Sequence, residues 1–238
     1  GEQQKRPENQ PAINLPPIVT ATIAALVLVH VYLTYLADQS TVEQSLLQFG
    51  YLPLREMLPE NLSGGRLNNF YSLFSHAFLH ANWTHLFFNA AWLAVFGSPI
   101  ARRYGVIGFG LVFLIGSAAG ALLFELMTSG QFTVLLGASG AVSALIGGAL
   151  RFMFQPVQTT IHPETGEVII LGRKLAGISE LLRNQRTFSF AAFWLGINLL
   201  FGMMPGLLGV NGAIAWQAHL GGFIAGFFMV AWLERRWF

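Results

Sequence analysis

Serine and histidine side chains lie in apolar stretches of this chain, where polar groups are costly. Ser139 stands in the run Gly-Ala-Ser-Gly, and His219 stands in the later run Ala-His-Leu-Gly-Gly. A serine hydroxyl is a weak nucleophile until a base accepts its proton, and histidine is the side chain most often used as that base. The pair therefore predicts nucleophilic chemistry by a Ser-His dyad, with Ser139 as nucleophile and His219 as general base.

A second polar pair could stabilise the negative charge that acyl transfer creates. His85 and Asn89 are four residues apart, so they share one face of a helix. Together with the backbone amide of Ser139 at a helix N-terminus, they can supply the donors of an oxyanion site. The set holds a nucleophile, a base and an oxyanion site, and this chemistry needs no cofactor and no metal ion.

The composition indicates that lipid surrounds much of the chain. Of its 238 residues, 54% are hydrophobic and 10% are charged, whereas soluble domains carry about 25% charged residues. The formal net charge of +2 gives no support for nucleic-acid binding. Cysteine is absent, which excludes a thiol nucleophile, a disulfide framework and a cysteine-ligated metal.

Six apolar segments approach the length of about 20 residues that a helix needs to cross a bilayer. They cover residues 18–36, 83–100, 106–127, 137–155, 188–207 and 213–233. The mixed region 37–82 predicts an outer loop with short amphipathic helices at the membrane surface. The polar stretch 156–187 predicts a cytoplasmic loop with a small hairpin at 159–171. We therefore predict an all-α, polytopic membrane protein with six transmembrane helices.

Basic residues predict the orientation of this bundle. With the N-terminus in the cytoplasm, all of the 13 Lys and Arg residues except Arg55 and Arg66 lie on the cytoplasmic side, as the positive-inside rule requires. Residues 1–17 are then a flexible cytoplasmic tail, 18–233 form the catalytic domain, and 234–238 are the cytoplasmic end. No mitochondrial-type presequence is visible, which favours a bacterial inner membrane.

The candidate reactive groups have similar predicted depths in the membrane, measured from the arginine at the cytoplasmic end of each span. Ser139 precedes Arg151 by 12 residues, about 18 Å of helix. His219 precedes Arg235 by 16 residues, about 24 Å, and the same count for His85 gives about 25 Å. These groups converge on one layer in the outer half of the membrane, with the serine deepest.

Glycines would allow the helices that carry these groups to approach closely. Gly137 and Gly140 flank the nucleophile and permit a tight turn of the chain. Gly140 and Gly147 give the fourth span a small face, and Gly222 and Gly226 do the same for the sixth. Small faces let two membrane helices pack tightly, so we expect these glycines to bring nucleophile and base within reach.

Three motifs together resemble those of the rhomboid family of intramembrane serine proteases. They are Gly-Ala-Ser-Gly at 137–140, Ala-His-Leu-Gly-Gly at 218–222 followed by Gly226, and His-Leu-Phe-Phe-Asn at 85–89. Gly-x-Ser-Gly alone occurs often by chance, whereas all three in order, each in the matching span of a six-span chain, are specific. The resemblance covers residues 18–233.

The resemblance implies a six-helix rhomboid-like bundle in which the serine, the two histidines and the asparagine have the roles given above. It further implies that the loop 37–82 partly embeds in the outer leaflet. The fifth span and the loop at 205–217 would gate the entry of substrate. The expected partners are the lipid bilayer and transmembrane protein substrates, single-pass or polytopic, with small residues before the cleaved bond.

Two positions depart from the family pattern. Rhomboids often carry an aromatic residue one helical turn after the nucleophile, where it packs on the catalytic histidine, but this chain has Ser143. We therefore expect an aromatic side chain from a neighbouring span to orient His219. Many members also carry a Trp-Arg pair in the first loop, and the corresponding residues 68–71 lack it.

Three other functions compete with proteolysis. A catalytically dead relative that only binds transmembrane clients would typically lack the serine or the histidine, and this chain keeps both. A small transporter would show internal repeats or paired broken helices, and no convincing repeat is visible. A metalloprotease needs a motif such as H-E-x-x-H, which is missing from this chain. His76 and His80 could supply two zinc ligands, but no third ligand is evident on the same element, so we interpret this pair as structural.

Overall fold

A computed structural model of the chain describes residues 14–53, 55, 58–59, 65–128, 133–203 and 215–237. Its helices are α1 Pro17–Val31, α2 Gln39–Phe49, α3 Gly65–Ser75, α4 Trp83–Trp92, α5 Ser98–Thr128, α6 Ser139–Leu150, α7 Ile178–Arg183, α8 Gln185–Met203 and α9 Trp216–Trp237. The strands are β1 Val157–Ile161 and β2 Val168–Arg173. Single wider turns, Tyr32–Leu36 and Leu93–Gly97, extend α1 and α4.

Three helical runs among the described residues are long and apolar enough to cross a bilayer: Pro17–Leu36, Trp83–Thr128 and Trp216–Arg236. The second run is 46 residues long and changes direction at Gly105, whose φ is +67°. This left-handed conformation is readily adopted by glycine and disfavoured for other residues. The bend falls between the two spans that the sequence predicts at 83–100 and 106–127.

The helix α6 is shorter than its predicted span of 137–155, so that prediction is wrong in its length. Its 12 residues rise about 18 Å, less than the roughly 30 Å of a hydrocarbon core. The chain turns at Arg151, whose guanidinium donates to the carbonyl oxygens of Ala176 and Phe227. Every residue from 140 to 150 is buried, so protein surrounds this short helix.

Backbone contacts through glycine join α6 to α5 and α9. On the α6–α9 interface, the glycines at which a Cβ would overlap a backbone carbonyl of the facing helix are Gly147, Gly222 and Gly226, against Phe223, Gly140 and Ala144 respectively. On α5, a Cβ at Gly116 would overlap the Ala144 side chain. These three helices therefore approach as closely as their backbones permit, and larger side chains would force them apart.

The loop between α1 and α4 contains α2 and α3, which confirms the short helices predicted there. Arg55 is buried in this loop, and its guanidinium donates to the carbonyl oxygens of Leu47 at 2.6 Å and Gly50 at 2.5 Å. Hydrogen bonds from a charged donor are stronger than neutral ones, so Arg55 fixes the end of α2. The loop thus has a buried arginine, at a position other than the 68–71 region where the sequence lacks the Trp-Arg pair.

The opposite side of the bundle carries a hairpin and an ion pair. Strands β1 and β2 are antiparallel, with an irregularity between Gln158 and Thr159, which confirms the predicted hairpin. Arg103 of α5 forms a salt bridge of 2.5 Å with Glu234 of α9 and donates to the carbonyl oxygen of Arg173. One guanidinium therefore joins α5, α9 and the end of the hairpin.

The helix α8 lies beside α4 and α9 and is held mainly by aromatic rings. Phe190 contacts Phe96 and Phe154, with ring centroids 5.4 and 6.0 Å apart. Trp194 stacks on Phe223 of α9 at 4.8 Å. Several other large side chains of α8 are exposed, as expected for a helix that faces lipid.

Candidate active site

Ser139 is the first residue of α6 and follows a strained turn at Gly137. The φ of Gly137 is +106°, which L-residues rarely adopt. A Cβ at this position would also lie 2.6 Å from the His85 ring. Position 137 therefore needs glycine for conformation and for space, and the turn delivers Ser139 to the N-terminus of a buried helix.

The loop between α1 and α4 holds the segment that precedes Ser139. Tyr51 and Leu135 exchange two backbone hydrogen bonds of 3.1 and 2.8 Å. The Tyr51 hydroxyl donates to Glu125 of α5 at 2.5 Å. Burial and the neighbouring carboxyl raise the pKa of Tyr51, so the phenol stays protonated and keeps donating. The segment that precedes the candidate nucleophile Ser139 is therefore bonded to the loop, which is itself bonded to α5.

Two histidines bond to the backbone of the turn just before the candidate nucleophile. The Gly137 N–H donates to the His76 carbonyl at 2.9 Å, and the Ala138 N–H points to His80 Nε2 at 3.5 Å. His76 is itself buried and bonded through Nδ1 to the Ser72 carbonyl at 2.8 Å; burial lowers the pKa of His76 to about 4. The turn is therefore held by the backbone of His76 and the side chain of His80.

The zinc alternative for His76 and His80 gains no support from this geometry. Within the described part of the chain, no group of three or more His, Cys, Asp or Glu side chains is placed to hold a metal ion. The Ala138 N–H can only donate, so His80 presents an acceptor nitrogen to the backbone at this position. The pair accounts for the position of the turn without a metal.

The predicted oxyanion residues lie on α4 and approach the same turn. The helix is capped by Asn82, whose side chain accepts from the His85 N–H at 2.8 Å. Asn89 Nδ2 donates to the His85 carbonyl at 3.1 Å. Measured from the position of a Cβ at Gly137, His85 Nε2 is 2.6 Å away and Asn89 Nδ2 is 3.6 Å away. The amide of Ser139, in the first turn of its helix, has no intrahelical acceptor, so three donors are available around the turn.

His219 lies on α9, one residue after the point where α9 meets the start of α6. A Cβ at Gly140 would lie 3.5 Å from the carbonyl oxygen of Ala218, and Gly222 packs directly on the Gly140 carbonyl. The residue after Ser139 and the residue before His219 are therefore neighbours. The structure brings together the segments that carry the predicted nucleophile and base.

An asparagine that the sequence analysis did not select contacts the predicted base. His219 Nδ1 is hydrogen-bonded to Asn198 Oδ1 on α8. The Ser143 hydroxyl donates instead to the Ser139 carbonyl at 2.6 Å. Among the described residues, the side chain that bonds to His219 is thus an asparagine, where the sequence predicts an aromatic ring. A polar side chain within an apolar span was the available signal.

Some predicted features lie outside the described residues. These are most of the loop expected to act as a gate, at 205–217, and nearly all of the tail at 1–17. The helix α8, which corresponds to the predicted fifth span at 188–207, is described to residue 203. The candidate catalytic and oxyanion side chains all lie within the described part.

The chain is similar in sequence to known proteins. The Rhomboid domain family matches residues 67–236 of this chain. RHOMBOID-like protein 4 of Arabidopsis thaliana is 31% identical over 157 residues, which are 66% of this chain and 32% of that protein. RHOMBOID-like protein 6, mitochondrial, of the same plant is 27% identical and covers 89% of this chain and 66% of its own length. The rhomboid protease GlpG of Haemophilus influenzae is 25% identical over 115 residues, 48% of this chain and 54% of GlpG.

The family match includes each of the motifs singled out from the sequence, and it extends over well more than half of the chain. This chain spans only about a third of the length of RHOMBOID-like protein 4. The helical, apolar architecture described above agrees with it. The chain belongs to the rhomboid family of integral membrane proteins, which includes intramembrane serine proteases such as GlpG.

Proposed function

We propose that this chain is an intramembrane serine endopeptidase that cleaves transmembrane segments of single-pass or polytopic proteins. One observation carries the proposal: the turn before Ser139 lies against His85 and Asn89, while the start of α6 packs on α9 just before His219. A nucleophile, a base and oxyanion donors on separate helices thus converge on one turn. The rhomboid protease GlpG, a relative by sequence, supports the same activity.

The chemistry is acyl transfer in two steps. His219 Nε2 accepts the proton of Ser139 Oγ as the oxygen attacks the scissile carbonyl, and the resulting oxyanion is bound by the Ser139 amide, His85 and Asn89. The imidazolium then protonates the leaving amine and the peptide bond breaks. In the second step, His219 activates a water molecule, which hydrolyses the acyl-enzyme and restores the serine.

We further propose six transmembrane helices with both termini in the cytoplasm and the loop 37–82 on the outer side. The distribution of basic residues supports this orientation. The shortness and burial of α6 support a nucleophile below the outer surface. Water would then reach Ser139 from the outer face, and a transmembrane substrate would enter from the side.

A bacterial inner membrane is the proposed location. One similar protein is bacterial, whereas another is named as mitochondrial. Fractionation of the source cells, with the tagged chain followed by immunoblot, decides between these membranes.

Cleavage of a model transmembrane substrate by the protein purified in detergent tests the activity. The wild type is expected to cut, whereas Ser139→Ala and His219→Ala are expected to be inert because each removes a reacting group. Ser98→Ala is the matched serine control, since Ser98 bonds to the Ala94 carbonyl one turn earlier in the same helical run. Cleavage by Ser139→Ala would overturn the mechanism, and binding without cleavage by the wild type would support a catalytically dead relative.

The oxyanion assignment has a separate test. Removal of one oxyanion donor typically lowers kcat by about 10²–10³. Asn89→Ala is therefore expected to lower kcat strongly while KM changes little. A variant in which only KM changes would show that Asn89 binds substrate and does not stabilise the transition state.

A further inference from the structure

The environment of Asn198 determines which way its amide group faces. Asn198 Nδ2 donates to the Trp194 carbonyl oxygen at 2.7 Å. A carbonyl oxygen can only accept, so the NH₂ group must face Trp194. The amide oxygen is then the atom that faces His219, and the reverse orientation would place two acceptors against each other.

The fixed amide in turn determines the tautomer of the histidine. An amide oxygen has no proton to donate, so the Nδ1 of His219 must carry the hydrogen that lies between them. In a neutral imidazole the other nitrogen is then unprotonated. His219 therefore presents the lone pair of Nε2 on its free side, which is the form that a general base needs in order to accept a serine proton.

We infer that Asn198 is a positioning residue that holds His219 in the tautomer and ring orientation required for catalysis. The inference rests on the proposed function for its catalytic part and on the hydrogen bonds alone for its structural part. It extends the proposed dyad to a Ser139–His219–Asn198 arrangement, in which the third member touches neither substrate nor reacting oxygen. The Ser143 hydroxyl, one turn after the nucleophile, is bonded to the Ser139 carbonyl.

Asn198 lies on a helix that is held differently from the two helices that carry the nucleophile and the base. The nucleophile and base lie on α6 and α9, which pack backbone to backbone. Asn198 comes from α8, which is held mainly by aromatic contacts. The orientation of the base thus depends on α8 being seated against α9, so a displacement of α8 would release the Nδ1–H and allow the ring to turn.

Kinetics with three variants separate positioning from packing. In serine hydrolases, loss of the residue that fixes the tautomer can lower kcat by about 10⁴. Because asparagine is a neutral partner, we expect Asn198→Ala to lower kcat by roughly 10- to 100-fold with KM nearly unchanged. Asn198→Asp keeps an acceptor for Nδ1–H but loses the bond to Trp194, so its kcat should fall between those of Asn198→Ala and the wild type. Gly196→Ala, with nothing near the added methyl, is the control on α8.

A purely structural role for Asn198 predicts the opposite order. A charge on a membrane helix is costly, so if Asn198 only packs α8, the aspartate variant would be no better than the alanine variant. That result, or a wild-type kcat in Asn198→Ala, would overturn the positioning role. Thermal unfolding in detergent accompanies each assay, so that a loss of folded protein is not taken as a loss of turnover.

The ¹⁵N NMR spectrum of histidine-labelled protein tests the hydrogen bond without any assay of activity. The His219 signal, assigned by its loss in His219→Ala, is expected to report a proton on Nδ1 in the wild type. It should shift toward the Nε2–H form in Asn198→Ala. If the wild type does not cleave but its His219 tautomer differs from that of Asn198→Ala in this way, the proposed function is wrong and the hydrogen bond is supported. If the tautomer is the same in both proteins, the inference is wrong whatever the activity.

Discussion

The helices α6 and α8 both border the candidate site, yet they are held in different ways. Residues 140–150 of α6 are all buried, and glycines let α5 and α9 contact its backbone directly. On α8, by contrast, large side chains such as Phe193 are exposed, and the space around Gly196 is open. Among the described residues, α8 is attached to α9 by a ring stack, one hydrogen bond and the close approach of Gly202 to Trp216. The helix α6 is therefore fixed by close backbone packing on both sides, and we call it the clamped helix. The helix α8 is held at a few points, and we call it the loosely held helix.

Under the proposed function, this difference suits the two regions to separate tasks. Catalysis by a serine needs a nucleophile and oxyanion donors that do not shift, because a displacement of about 1 Å can cost about 10² in rate. A substrate that enters from the lipid needs some element that can move aside. The clamped helix carries Ser139, while the loosely held helix carries Asn198, which contacts the base. The same looseness that could admit substrate would thereby also affect the base.

The strongest way to break the clamped region is to widen it. Gly226→Ala would place a methyl group on the carbonyl oxygen of Ala144, and a backbone carbonyl cannot rotate away. Overpacking of a tight core costs about 1–3 kcal/mol and occasionally more, and we expect the upper end, about 3 kcal/mol, together with loss of cleavage. The measurement is the free energy of unfolding by titration with a denaturing detergent.

Gly196→Ala supplies the matched change on the loosely held helix. Its methyl meets nothing within 4 Å, and alanine is favoured over glycine in a helix by about 0.5–1 kcal/mol. Its stability should therefore be equal to that of the wild type or slightly higher. Equal losses in the two variants would contradict the contrast between the helices.

Acid should lower the stability of the fold through His76, whose carbonyl supports the turn before the clamped helix α6. Burial lowers its pKa to about 4 in the folded protein, against about 6.5 in an unfolded chain. Between these values the unfolded state binds more protons, so stability falls as pH falls from about 6.5 toward 4 and levels off below. At pH 5 this difference corresponds to about 2 kcal/mol.

His76→Asn isolates this contribution, because asparagine can still donate to the Ser72 carbonyl but does not titrate. Unfolding measured at pH 7 and pH 5 should show a smaller loss in the variant than in the wild type. If both lose the same stability, the proton is taken up elsewhere.

Phe190→Ala should loosen α8 while leaving the clamped helices in place. Aromatic pairs contribute about 0.5–1.5 kcal/mol each beyond the area they bury, and Phe190 contacts Phe96 and Phe154. We expect a loss of about 1–2 kcal/mol and a partial drop in kcat, because Asn198 would meet His219 less often. Phe193→Ala, which removes an exposed ring from the same helix, is the control.

The absence of cysteine allows the motion itself to be measured. A spin label on a single introduced cysteine at Leu195 reports on α8, and one at Leu122 reports on α5; both positions are partly exposed. Phe190→Ala should increase the mobility of the first label and leave the second unchanged. An increase at both positions would mean that α8 is part of the clamped unit.

The sequence predicted those features that depend on local pattern. Apolar length predicted the helices, β-branched residues around a turn predicted the hairpin, and the interruption before 106 coincides with the bend at Gly105. The serine, histidine and asparagine of the proposed site could be nominated because polar side chains are rare in apolar spans. In each case the signal lies within a few residues.

Features that depend on distant partners could not be predicted in this way. The end of α6 is set by Arg151 bonding to carbonyls of two other segments, and the buried Arg55 bonds to carbonyls of the loop between α1 and α4. Asn198 meets a histidine 21 residues away, and its role follows only from the carbonyl that fixes its amide. Hydropathy records that such groups lie in a span or a loop, but it does not record what they contact.

The smallest expected effect comes from Ser143→Ala, and it tests which helix orients the base. The Ser143 hydroxyl donates to the Ser139 carbonyl of its own helix, and a hydroxyl bonded one turn back contributes little to a helix. Removal should change stability by less than about 1 kcal/mol and leave kcat within about threefold of the wild type, because the ring of His219 is held from α8. The cleavage assay and the unfolding titration are run beside Asn198→Ala. A loss of kcat in Ser143→Ala as large as that in Asn198→Ala would show that the clamped helix also orients the base, and the division of tasks between α6 and α8 would then be wrong.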